Sequence, residues 1–192
     1  MNRTLGTLLV LLALALPAPA TLGAPPAAAV LPGDSLYQLD VRLDPAGGGA
    51  LAWSSLAGRP VVVALFYSSC TVMCPMLTHA MQRLEHDLAA GSTARFVMIS
   101  LDDEHDTPEH LAAFARKEGL APDRWLIAHA SRADVRTLAA ALGVRYRRLP
   151  DGSYSHSTVI TLLDRDGRRL AATEQVAGED AAFLARLNAL GD

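Results

Sequence analysis

The sequence predicts an α/β domain: a mixed sheet, parallel at its centre and antiparallel at one edge, with helices on both faces and an additional strand at its N-terminal end. Three observations predict it. Apolar runs at 61–67 and 96–99 are too short for buried helices and lack polar alternation, so they read as central strands covered on both faces. Amphipathic segments of helical period separate these runs, which implies parallel crossovers. Near the C-terminal end, Asp166-Gly167 lies between two strand-like segments and signals a hairpin, hence antiparallel strands at the sheet edge.

The elements follow in order. Residues 36–43 alternate loosely, as a strand would, and 45–49 form a turn. Residues 51–56 and Gly58-Arg59-Pro60 lead into the strand at 61–67. Pro75 suits the first turn of a helix, and Met76, Leu77, Ala80, Met81, Leu84 and Leu88 recur at helical spacing until Gly91. Residues 95–101 form a second buried strand. Thr107-Pro108 starts a helix that Gly119 ends, 125–128 is a third strand, and Ser131 caps a helix closed by Gly143. Asp151-Gly152 is a turn, 158–163 a strand, Asp166-Gly167 a tight turn and 168–172 its partner strand. Residues 179–190 form a terminal amphipathic helix. This order matches a thioredoxin-like fold.

The N-terminus sets the compartment. Arg3, an apolar stretch at 5–16, Pro17 and the small-x-small pattern Ala18-Pro19-Ala20 read as an export signal over 1–20. The stretch is shorter than the ~20 residues of a relaxed membrane span. If uncleaved, it would serve as a short anchor, and it offers the only membrane contact the sequence suggests. Residues 21–34 are rich in Ala and Pro and read as a flexible leader, so the domain is expected over 35–192, exported to a bacterial periplasm. With 17 basic and 20 acidic residues the chain carries a net charge of −3, which argues against a nucleic-acid partner.

The chemistry centres on Cys70-Thr71-Val72-Met73-Cys74-Pro75, which holds the only two cysteines of the chain. They follow directly on the 61–67 strand. A disulfide closing so short a loop removes little chain entropy, so the pair is reactive rather than structural. Cys74 precedes proline and is expected at the helix N-cap, where the helix terminus would lower thiol pKa values. Thioredoxin-type oxidoreductases separate their cysteines by two residues. Here three intervene, which lets two sulfurs approach one ion from different directions, while a disulfide stays open to them. Among His79, His86, His105, His110, His129 and His156, only His156 lies just before a buried strand, in the loop that passes beside the reactive sulfurs in thioredoxin-like folds. Position alone divides it evenly between ligand and ordinary loop histidine. Thiolate and imidazole together suit copper, in either common oxidation state, or zinc.

Three blocks in order are similar to the SCO/SenC family of copper-binding thioredoxin-like proteins. They are 66–75, with the two cysteines; 96–108, a strand followed by Asp102 and by Asp106-Thr107-Pro108; and Tyr154-Ser155-His156-Ser157 with the strand after it and Asp164-Arg165-Asp166-Gly167. The resemblance covers roughly 35–190. It implies one copper, as Cu(I), Cu(II) or both, held by Cys70, Cys74 and His156. It also implies a copper-receiving partner, a respiratory oxidase subunit or another periplasmic copper protein, which receives the ion or has its cysteines reduced. Thr71 departs from the proline that many members carry after the first cysteine. Ser157 stands about where thioredoxin-like reductases place a cis-proline, which favours metal binding over general disulfide exchange.

Asp102, Asp103 and Asp106 are expected mainly to form a solvated loop and helix start, with orientation of the metal ligands as the alternative. Arg145, Tyr146, Arg147 and Arg148 form a small basic cluster that reads as a solvated strand edge, with a docking patch as the alternative. The function that fits best is a copper chaperone, a metallation factor for a binuclear oxidase copper site. The alternative is a thiol-disulfide oxidoreductase using Cys70 and Cys74 as its catalytic redox pair. A peroxidase fits least, because a second cysteine so close favours chelation or exchange.

Overall fold

The computed structural model describes residues 30–71 and 73–190. Its strands are β1 (Arg42–Pro45), β2 (Leu51–Ala52), β3 (Val61–Phe66), β4 (Arg95–Ser100), β5 (Trp125–His129), β6 (Tyr146–Arg148), β7 (Tyr154–His156), β8 (Ile160–Leu163) and β9 (Arg169–Thr173). Its helices are α1 (Met73–His86), α2 (Pro108–Lys117), α3 (Arg132–Leu142) and α4 (Ala181–Asn188). The expected export signal at 1–20 and most of the leader lie outside the described residues. Among the described residues no helix is long and apolar enough to cross a membrane.

Seven strands form one sheet in the order β2-β1-β5-β4-β3-β8-β9. β3, β4 and β5 are parallel, while β8 runs antiparallel to β3 and β9 to β8. Every β3 side chain is at most 1% exposed. Successive strand residues point to opposite faces, so the sheet is covered on both faces at this strand. The expected mixed thioredoxin-like sheet is therefore present, and β1, antiparallel to β5, is its N-terminal extension.

The helix signals read from the sequence operate as expected. Thr107 Oγ1 accepts from His110 N ahead of Pro108, and Ser131 Oγ accepts from Asp134 N. Gly143 closes α3 in the left-handed conformation (φ 74°) that a side chain would disfavour.

Four local expectations are corrected. Residues 36–38 form a 3-10 turn rather than the start of a strand, because Ser35 Oγ accepts from Tyr37 N and turns the chain; the strand waits until Arg42. α1 ends at His86 instead of continuing to Gly91, since Asn188 of α4 takes up the backbone N–H of Ala89 and the carbonyl of Asp87. The 163–169 connection is wider than a two-residue turn: Asp164 and Arg168 close it, and Asp164 Oδ1 accepts from the N–H groups of Asp166 and Arg168. Gly167 sits there at φ 81°, where a Cβ would lie 2.5 Å from the Tyr37 ring. The last correction concerns the segment before β8. It is a two-stranded ribbon, β6-β7, separate from the main sheet, and the strand after it starts at Ile160 rather than 158.

Candidate metal centre

The cysteine side grows out of β3. After Phe66 the chain turns, with Cys70 N donating to Tyr67 O, and α1 begins at Met73. Cys74 is thus the second residue of the helix rather than its cap. Pro75 is tolerated because first-turn N–H groups have no intrahelical partner to lose. One of those N–H groups, that of Cys74, donates to Cys70 Sγ at 3.4 Å. The helix terminus therefore acts on the sulfur of Cys70. Cys74 is buried, and burial pushes its thiol well above the ordinary range, against a smaller pull from a backbone hydrogen bond of Tyr67. The lowering expected at Cys74 is not found: burial is the largest influence on its thiol, and its own N–H is turned to Cys70. No disulfide joins the two sulfurs.

The histidine side is the β6-β7 ribbon. Tyr146 pairs with His156 and Arg147 with Ser155. Ser157 fixes the base of the ribbon: its N–H donates to Arg145 O at 2.8 Å and its Oγ accepts from Arg145 N at 3.0 Å. Among the described residues no peptide bond is cis. His156 Nδ1 lies 3.1 Å from Ser157 O, a contact that needs the proton on Nδ1. Nε2 then presents a lone pair, 4.0 Å from Cys74 Sγ. Burial lowers the His156 pKa, against that same bond to Ser157, so the neutral imidazole is favoured. The Tyr67 ring meets His156 edge-on at 5.9 Å.

The two sides face a common cavity of about 330 Å³ whose lining includes Tyr67, Cys70, Met73, Tyr154 and His156. Among the described residues no three His, Cys, Asp or Glu side chains stand at metal-holding spacing. The donor set nonetheless fits a soft ion. Nitrogen and sulfur ligands ~2.0 and ~2.3 Å from a shared ion lie roughly 3.5–3.8 Å apart, close to the Cys74–His156 separation. Of the other histidines, His79, His86, His105 and His110 are exposed, and His129 faces Asp44 at 3.4 Å.

A profile of the SCO1/SenC family matches residues 36–190. The chain belongs to the SCO1/SenC family. It is 26% identical over 127 residues to the SCO1 protein homolog of Bacillus subtilis (strain 168), covering 64% of this chain and 66% of that one. Its fold is similar to that of Bradyrhizobium japonicum ScoI, solved with copper bound (TM-score 0.66, 22% identity, covering 78% of this chain and 96% of that one). It is also similar to BsSco, a Sco-family cytochrome c oxidase assembly protein in which a disulfide switch was identified (TM-score 0.68, 21% identity, covering 78% and 90%).

Within this SCO1/SenC chain the three aspartates take different parts. Asp106, 2% exposed, accepts from Ser68 N at 2.9 Å and from the hydroxyls of Ser68 and Ser100. It ties the turn that carries Cys70 to the end of β4. Asp102 is also buried and shapes its own turn, accepting from the N–H groups of Glu104 and His105 and facing the His105 ring at 2.9 Å. Asp103 pairs with Arg132 at 3.4 Å. A solvated loop therefore describes Asp103 but not Asp102 or Asp106.

Two supports were invisible in the sequence. Tyr67 Oη donates to Tyr154 O at 3.2 Å and links the cysteine strand to the ribbon; burial, and then its bond with Cys70, push its phenol up to about 12. Glu104 accepts a two-pronged pair from Arg148 at 2.9 and 2.7 Å and a further bond from Arg132 at 2.8 Å. Arg145, Arg147 and Arg148 are all exposed, as expected of a solvated edge, and Arg148 in addition clasps Glu104. The only sequence signal for either support was an aromatic or a charge at a strand end.

Proposed function

We propose that this chain binds one copper ion through Cys70, Cys74 and His156 and passes it to a respiratory oxidase subunit or another exported copper protein. The observation that carries the reading is the oriented imidazole: Nδ1 is committed to Ser157 O, and Nε2 lies 4.0 Å from Cys74 Sγ. A backbone partner on the far nitrogen orients a metal-ligating histidine. Family membership and the copper-bound state of the B. japonicum neighbour support the choice of ion. Two thiolates and one imidazole suit Cu(I), and the imidazole also accommodates Cu(II). The signal-like stretch at 1–20 supports export to the periplasm, where copper meets no cytosolic thiol buffer.

The test is metal analysis with absorption spectroscopy on reduced, copper-loaded protein. About one copper per chain is expected, with a sulfur-to-copper charge-transfer band that His156→Ala alters and that Cys70→Ala or Cys74→Ala removes. Failure of the reduced wild type to retain copper against a moderate chelator would overturn the reading.

A second reading is supported by the unequal thiols. Cys70 is partly exposed and accepts a helix-terminal N–H, while Cys74 is buried with a raised pKa. That asymmetry suits an attacking and a resolving thiol reducing the cysteines of a copper-receiving partner. On this reading His156→Ala leaves thiol exchange intact, whereas on the first it removes one copper ligand and alters the charge-transfer band.

A further inference from the structure

Among the described residues three large hydrophobic side chains are exposed: Val30, Met73 and Leu170. Val30 borders the undescribed segment and Leu170 lies on the edge strand β9. Met73 stands at the candidate metal centre. It opens α1, is 39% exposed, and lines the cavity that Cys70 and His156 also line. It belongs neither to the apolar core nor to the side chains packed on it, although Met76, three residues on, does. Core packing therefore does not account for a methionine at this position.

Its chemistry suits the place. A thioether is a neutral, soft donor that needs no deprotonation and prefers Cu(I) to harder ions. Three rotatable bonds let the sulfur reach toward an ion and withdraw again. Consecutive helix residues diverge by ~100°, so Met73 does not follow Cys74 into the core. The centre then has an inner pair, buried Cys74 with His156 Nε2, and an outer pair, partly exposed Cys70 with exposed Met73.

We propose that Met73 is a third sulfur ligand for Cu(I), binding the ion on the solvent side of the cavity and releasing it during transfer. This rests on the Cys70–Cys74–His156 reading. No bond is made or broken beyond metal–ligand exchange, and the ion keeps its oxidation state.

The test uses reduced protein labelled with selenomethionine and loaded with one equivalent of Cu(I). Selenium-edge X-ray absorption is expected to show a selenium–copper vector in the wild type and none in Met73→Leu, which keeps the apolar volume. Met73→Leu is also expected to lower Cu(I) retention against a competing chelator roughly tenfold, the lower end for a change around a metal site, and to leave Cu(II) uptake unchanged. A wild type that holds copper with no selenium–copper vector overturns the role of Met73 alone. A wild type that retains no copper overturns both readings.

Discussion

The two halves of the candidate centre are held in opposite ways. The cysteine turn hangs on buried polar bonds: Asp106 accepts from Ser68 and Ser100 with almost no solvent contact, beside a β3 strand closed on both faces. The histidine ribbon is a separate two-stranded sheet, and its link to the 101–106 turn is the exposed Glu104 set between Arg148 and Arg132. Buried bonds are strengthened by low dielectric and costly to break, whereas exposed ion pairs are weak and screened by salt. A centre built this way holds its cysteine turn more firmly than the ribbon that carries its imidazole. On the proposed reading, ligands of unequal firmness suit an ion that is handed to a partner.

The largest expected effect comes from breaking the firm half. Asp106→Ala strips the acceptor from three donors around Ser68 and Ser100, at a cost of roughly 3 kcal/mol in folding free energy. Urea unfolding measures it, and copper retention should fall about 10- to 100-fold as the Cys70 turn loosens. Asp106→Asn, which keeps an acceptor oxygen, should lose less of both. Equal retention in all three proteins would mean that the turn is held by its backbone alone.

Next is the bond that joins the halves. Tyr67→Phe removes the hydrogen bond to Tyr154 O but keeps the ring against His156, so about 1 kcal/mol is expected. Its signature is faster amide exchange in β6-β7, with β3 and β4 unaffected; a uniform increase across the sheet would contradict a boundary between firm and yielding halves.

Smallest is the exposed clasp. Hydrogen bonds from Arg148, then Arg132, hold the Glu104 carboxyl below the usual glutamate range. A depressed pKa contributes stability that is present above the unfolded-state value and lost as pH falls through the folded one. Ribbon protection from amide exchange, taken relative to the intrinsic rate at each pH, should therefore fall in acid below the ordinary glutamate range, and with added salt at neutral pH. Glu104→Gln should lower it at neutral pH and abolish both dependences. A ribbon indifferent to salt and to this substitution would show that the Arg145–Ser157 base suffices to hold it.

Legibility in the sequence followed the range of the interaction. β3, β4 and β5, the caps at Thr107 and Ser131 and the stop at Gly143 are local patterns and were readable. The 3-10 turn at 36–38 was not, since the alternation there reflects burial of Tyr37 and Val41 against other elements rather than a pleat. The ribbon was missed because its strands are three residues each, too short for a period to emerge. The aspartates hide their partners in the same way: Asp106 looks like a helix-start residue, and its partner Ser68 lies 38 positions away.

By itself the sequence determined the alternation of strands and helices, the placement of Cys70 and Cys74 after a buried strand, and the position of His156 in the segment before another. These follow from hydrophobic period and from spacing along the chain, which are local. Tertiary structure alone decided that Cys74 is the buried thiol and Cys70 the one on the helix terminus, that His156 turns Nε2 toward sulfur, and that Asp106 and Glu104 hold the two halves with unequal strength. Desolvation and hydrogen-bond partners across tens of residues set these properties, and both exist only once the chain has folded.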